Sequence, residues 1–118
     1  MNPTIVFTER EATFLEQYLE TAFWVAGIGP QEMDEDCYRE AAIDCLAFLS
    51  RVDCYLNDKN RHQAAHDFYL SRNGHGSGFW DRPKVYSYTI GNYADKFQAI
   101  AESFGPTDYY TTNGELIN

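Results

Sequence analysis

Apolar residues recur along this chain in three long runs at helical spacing, separated by stretches patterned like short strands and turns. Thr8 with Glu11 three positions on forms a capping box, which satisfies two orphan N–H groups where a helix starts. Phe14, Leu15, Tyr18, Leu19, Ala22 and Phe23 then return at helical steps, Glu16 and Glu20 fall outside the stripe, and Gly27 to Pro30 closes the first helix. The second helix is expected to begin near Asp34. Tyr38, Ala41, Ala42, Cys45, Phe48, Leu49 and Val52 form its buried stripe, opposite an acidic side. Lys59 to Ala65 reads as a short helical turn carrying His62 and His66. Phe68-Tyr69-Leu70 is strand-like, Ser71 to Gly78 is glycine-rich, and Phe79-Trp80 resumes the apolar pattern, so a hairpin is predicted over 67–81. A third stripe, Ile90, Tyr93, Ala94, Phe97, Ile100, Ala101 and Phe104, is closed by Gly105-Pro106. Asn113-Gly114 between Tyr109-Tyr110-Thr111 and Glu115-Leu116-Ile117 signals a terminal strand pair. The expected fold is therefore α+β, with three main helices and a small antiparallel sheet formed by the 67–81 hairpin and the C-terminal strands.

A chain of 118 residues is long enough to bury roughly two thirds of its unfolded surface, so a single domain spanning 1–118 is expected. Cys37, Cys45 and Cys54 are odd in number, which argues against a disulfide framework. Their spacing lets no helix bring all of them to one ion, so they read as small core or boundary residues. No run is apolar enough to span a bilayer, and Met1-Asn2-Pro3-Thr4 lacks the start of a secretory signal, so a cytoplasmic location is expected.

Charge divides the chain in two. Residues 1–58 hold twelve Asp and Glu against three Arg, a local −9, whereas residues 59–118 hold six acids and six bases and sum to zero. Within the second half, residues 59–84 carry five bases against two acids, a local +3 among aromatic side chains. An acidic helical half, 1–58, thus precedes a glycine-loop and aromatic half, 59–118.

The stretch His66-Asp67-Phe68-Tyr69-Leu70-Ser71-Arg72-Asn73-Gly74-His75-Gly76-Ser77-Gly78-Phe79-Trp80-Asp81-Arg82 resembles a motif of small phage and prophage proteins, HDFWLTRNGHGAGFWDR. The likeness extends over roughly the second half of the chain and leaves the acidic first half outside it. That family more often has glycine where this chain has Pro83. The resemblance implies a phage or mobile-element origin, hence the cytoplasm of a host cell, and no defined activity.

Two constellations carry chemistry. In Arg72 to Gly78, glycines can turn backbone N–H groups toward one anion, Arg72 offers a bidentate fork and His75 a switchable donor. Arg72, Asn73 and His75, with His66 and Asp81 nearby, would then bind a nucleotide or other anion, with catalysis a further option. The run is neither a P-loop, lacking the Lys-Ser/Thr pair, nor a dinucleotide fingerprint. The alternative is a tight hairpin that needs glycine for positive φ, with Arg72 paired to Asp81 or Asp67. His62 and His66, four apart, could join Asp67 and His75 around a metal, but no HExxH is present and no Ser or Cys has a defined base. No cofactor is called for. The second constellation is Glu16, Glu20, Glu35, Asp36, Glu40 and Asp44 on the first two helices. Such a face is either solvated surface or a set of carboxylates that imitates duplex phosphates in a basic groove. Net −9 repels a polyanion, so direct nucleic-acid binding is disfavoured while a single nucleotide is not. The leading reading is a non-enzymatic phage accessory protein that binds a host protein, a nucleic-acid enzyme among the candidates, as an anti-defence inhibitor.

Overall fold

Side-chain caps set where the first three long helices begin. In the computed structural model, which describes residues 7–74, 78–88 and 91–117, the Thr8 hydroxyl accepts from the Glu11 N–H at 3.1 Å and the Glu11 carboxylate accepts from the Thr8 N–H at 2.8 Å. This capping box launches α1, Glu9–Ala26, which ends at Gly27 with φ 69°. The Asp34 carboxylate accepts from the Asp36 N–H and starts α2, Glu35–Val52. Asn57 and Asn60 cap one another at the start of α3, Asp58–Asn73, and Gly74 closes it with φ 66°. The last helix, α4, runs Ala94–Ser103.

The fold is all-helical, which corrects the expected α+β class. The predicted 67–81 hairpin does not exist: residues 67–73 are the last turns of α3, and Phe79–Asp81 forms a single 3-10 turn. The predicted C-terminal strands reduce to one isolated bridge, Tyr110 with Leu116, beside a second between Met33 and Thr111. Among the described residues, the only paired strand segments are the two-residue pieces Ser87–Tyr88 and Gly91–Asn92.

The physical reason lies in the position of α3, which packs against both α1 and α4. Every residue from Ala64 to Arg72 is buried except His66, which is half-buried. A helix enclosed on most sides loses the polar face that would mark its period, and its continuous run of apolar residues then resembles a strand. The polar members of that run are satisfied internally. Asp67, fully buried, accepts from the Tyr86 hydroxyl at 2.7 Å, from Arg82 Nε at 3.0 Å and from Gln63 Nε2 at 3.1 Å.

Aromatic rings fill the space between the helices. Phe48 of α2 stacks on Phe68 of α3 with centroids 4.0 Å apart and planes 8° from parallel. Phe79, Tyr86 and Phe97 meet edge to face on the α4 side, and Tyr18 of α1 meets Tyr69 the same way. A motif glycine that no side chain could replace without a clash sits here. Gly78 has φ 134° and ψ −145°, and a Cβ there would lie 2.1 Å from the Ser71 hydroxyl oxygen. That hydroxyl donates to Gln98 Oε1 and accepts from the Phe79 N–H, so it has no room to retreat. Gly78→Ala should cost about 2–3 kcal/mol, combining a conformation that side chains avoid with a direct clash. Urea unfolding would show it as a lower midpoint at unchanged slope.

Candidate functional site

The motif's cation is engaged within the core. Arg72 is 7% exposed; its Nη1 donates to Asp44 at 2.8 Å and to the Tyr18 hydroxyl at 3.0 Å. Its Nε donates to the Gly105 carbonyl at 2.9 Å and its Nη2 to the Phe104 carbonyl at 3.3 Å. The guanidinium lies 5.3 Å from the Phe68 ring centroid and 5.7 Å from that of Phe104. One side chain thus ties α3 to α1, to α2 and to the orphan carbonyls at the end of α4. Its ionic partner is Asp44, rather than the Asp81 or Asp67 expected from sequence. Tyr18 and Tyr109 place their hydroxyls 2.7 Å apart beside it, and burial pushes both phenols well up, so both stay neutral.

The other residues of the expected ligand set have separate surroundings. Asn73 donates to the Tyr69 carbonyl at 2.9 Å and accepts from the N–H and hydroxyl of Thr107 at 2.8 and 3.0 Å. His66 points from α3 toward α1, where its Nδ1 lies 3.0 Å from the Thr21 hydroxyl. That hydroxyl spends its proton on the Gln17 carbonyl, so His66 must donate from Nδ1. Burial lowers the His66 pKa, and the nearby Arg82 and His62 lower it further against the opposing pull of Asp67. Asp81 is exposed in the 3-10 turn, and His75 lies outside the described residues. Among the described residues, no three His, Cys, Asp or Glu side chains are placed to hold a metal ion. Cys37 and Cys45 are buried thiols, Cys54 is an exposed one, and no described helix is long and apolar enough to cross a membrane.

Negative charge gathers along α2. Asp36, Glu40 and Asp44 stand four residues apart, so each is one turn further along the same flank. The segment that crosses this flank brings in Asp108 and Tyr110: the Asp34 N–H donates to the Tyr110 carbonyl at 2.9 Å, and the Tyr110 N–H to Cys37 Sγ at 3.3 Å. The charges feel one another. The Glu40 carboxyl is raised by burial and then by Asp108, Asp44 and Asp36, with Arg72 opposing. The Tyr110 phenol is raised first by Asp34 and burial, then by Cys37, Asp36 and Glu40. Among the described residues, no Lys or Arg forms a salt bridge with Asp36, Glu40 or Asp108. Asp44 is the exception, committed to Arg72. Glu35, Glu16 and Glu20 are exposed too, Glu35 on another side of α2 and the other two on the face of α1 turned from the core.

At the opposite end of α2 the signs alternate. Asp53 accepts from Arg10 Nη1 at 2.7 Å and Arg61 Nε at 2.8 Å, and Arg61 Nη1 also donates to Asp58 at 2.7 Å. Burial would raise the Asp53 carboxyl, but the bonds and charges of Arg61 and Arg10 outweigh it and hold the group below its ordinary value. The cleft of about 840 Å³ at this end has Phe14 and Leu49 among its lining residues, together with this neutralised network. With Glu9 and Glu11 also in its lining, four carboxylates stand against two guanidiniums, a net negative wall that does not suit an anion.

No protein-family model, curated protein or solved structure matches this chain. The functional reading therefore rests on the geometry of its own side chains. Sequence reasoning placed Asp36, Glu40 and Asp44 on one helix but had no means of adding Asp108 and Tyr110. Their approach depends on pairing across more than 70 residues, as in the Tyr110–Cys37 bond.

Proposed function

We propose that this protein acts by binding rather than by catalysis, with the carboxylate flank of α2 occupying a cationic surface on a host protein that handles nucleic acid. The observation that carries this reading is the unbridged run of Asp36 and Glu40 with Asp34 and Asp108 beside them. Crowded carboxylates repel one another, and in isolation each like-charge pair a turn apart costs a few tenths of a kcal/mol. A cationic partner converts that repulsion into attraction, and long-range steering speeds the encounter. The likeness of residues 66–82 to a phage motif supports a setting in which a small acidic protein blocks a host enzyme's nucleic-acid groove, an anti-defence role in the host cytoplasm.

The anion-pocket alternative draws less support. An incoming phosphate would have to displace Asp44, Tyr18 and two carbonyls from Arg72, and the Thr107 contacts from Asn73. Each exchange forfeits an existing buried bond.

The test reverses Asp36, Glu40 and Asp108 to Lys while leaving Asp44 to its structural partner. Capture of a host protein by the immobilised wild type, followed by affinity measurement, should show a loss on the order of 100-fold in the triple variant and a steep salt dependence in the wild type. Undiminished binding by a folded triple variant would end this reading. Reversal of Glu16 and Glu20 in a separate variant reports whether α1 belongs to the same contact.

A further inference from the structure

In the closing segment Tyr109, Thr111 and Ile117 are buried, whereas Tyr110 and Leu116 face outward at 37% and 67% exposure. The flanking bonds, Thr111 N–H to the Glu115 carbonyl at 2.8 Å and Ile117 N–H to the Tyr109 carbonyl at 2.8 Å, leave Tyr110 and Leu116 opposite each other at a non-hydrogen-bonded position. Side chains at such positions approach most closely, so the phenol ring and the leucine form one outward apolar pair. Asp34, Asp36 and Glu40 act electrostatically on Tyr110, and Asp108 and Glu115 adjoin the pair in sequence. A large apolar pair with an acidic rim has the layout of an interface anchor, in which a desolvated centre supplies affinity and the rim supplies specificity.

We propose that Tyr110 and Leu116 are the apolar anchor of the acidic flank, and that the partner presents a cationic amphipathic helix whose apolar side chains cover this pair while its Arg or Lys residues meet Asp34, Asp36, Glu40 and Asp108. This rests on the binding role proposed for the flank and specifies the partner's chemistry. Charge complementarity selects the occupant: a second copy of this chain would bring its own carboxylates against these, and a nucleic acid would bring phosphates. A purely polar cationic surface would leave the apolar pair unused.

Two synthetic helical peptides of about 18 residues and equal positive charge separate these contributions, one with Arg and Leu on adjoining faces, the other with Gln replacing Leu. Titrated into the intact protein near 0.15 M salt, the Arg–Leu peptide should bind about tenfold tighter than the Arg–Gln peptide, a gain matching burial of one or two apolar side chains. Leu116→Gln and Tyr110→Gln should abolish that gain while keeping the residual affinity of the Arg–Gln peptide. The Asp36, Glu40 and Asp108 reversals should remove binding of both. Equal binding of the two peptides, or a gain that survives Leu116→Gln, overturns the anchor and leaves the charge-based role intact. Failure of both peptides to bind overturns the two together. Self-association of the wild type that disappears in Leu116→Gln would assign the pair to a second copy and likewise overturn the proposal.

Discussion

Replacement of Arg72 by alanine is expected to lower the stability of this protein by about 3–5 kcal/mol, because it removes at once a buried guanidinium, its pair with the half-buried Asp44 and its other hydrogen bonds. For a domain of this size that amounts to a fall in Tm of roughly 10–20 °C. The loss has three sources. Asp44 is left with an uncompensated charge, the carbonyls of Phe104 and Gly105 lose their donors, and the Phe68 and Phe104 rings lose the cation between them. Arg72→Lys retains the charge but has a single ammonium where the guanidinium reaches several acceptors at fixed angles, so it should recover only part of the loss. Thermal unfolding of both variants checks the expectation. A fully stable Arg72→Ala would mean that the guanidinium is spare, as a ligand-binding role requires, and would reopen the anion-pocket reading.

That single residue shows how the sequence informs and where it misleads. Arg72, glycines and a histidine in close succession look like an exposed anion loop, because such loops share that composition. Nothing local reveals that the arginine stands on the last turn of a central helix, facing Tyr18 more than 50 positions away. The same blindness hides α3. Its polar residues Asp67, Ser71 and Arg72 are buried against partners on other segments, so the apolar-polar alternation that identifies α1 and α2 is erased. The outer helices are legible because water fixes one face of each and because Thr8, Asp34 and Gly27 mark their ends by side-chain chemistry. The acidic flank is half legible. Spacing of four residues puts Asp36, Glu40 and Asp44 in register on any helix, but only the fold reveals that Asp44 neutralises Arg72 and that Asp108 takes its place among the unbridged carboxylates. The Asn113-Gly114 pair signals a turn by its local chemistry, and Gly114 does take φ 83°. The turn closes a single bridge rather than a sheet, because the segment bonds sideways to Asp34 and Glu32 at the α1–α2 connection.

Phe48→Ala is expected to be the most damaging apolar substitution, at about 3–5 kcal/mol. The ring is fully buried and meets four others: Phe68 at 4.0 Å, Phe79 at 5.7 Å, Phe104 at 6.1 Å and Phe14 at 6.2 Å between centroids. These neighbours stand on α3, the 3-10 turn, the end of α4 and α1. Collapse into the vacated space would require several elements to move together, so the cavity should persist and stay dry, with benzene binding raising the variant's Tm. Phe48→Leu retains most of the volume and should lose markedly less. The effect must also be coupled to that of Arg72, since the guanidinium covers the Phe68 ring on which Phe48 stacks. Residues sharing a partner depart from additivity, so the double variant should differ from the sum of the single losses by about 0.5–3 kcal/mol. Strict additivity, or a Phe48→Ala loss below about 1 kcal/mol, would contradict the shared aromatic stack at the centre of this fold.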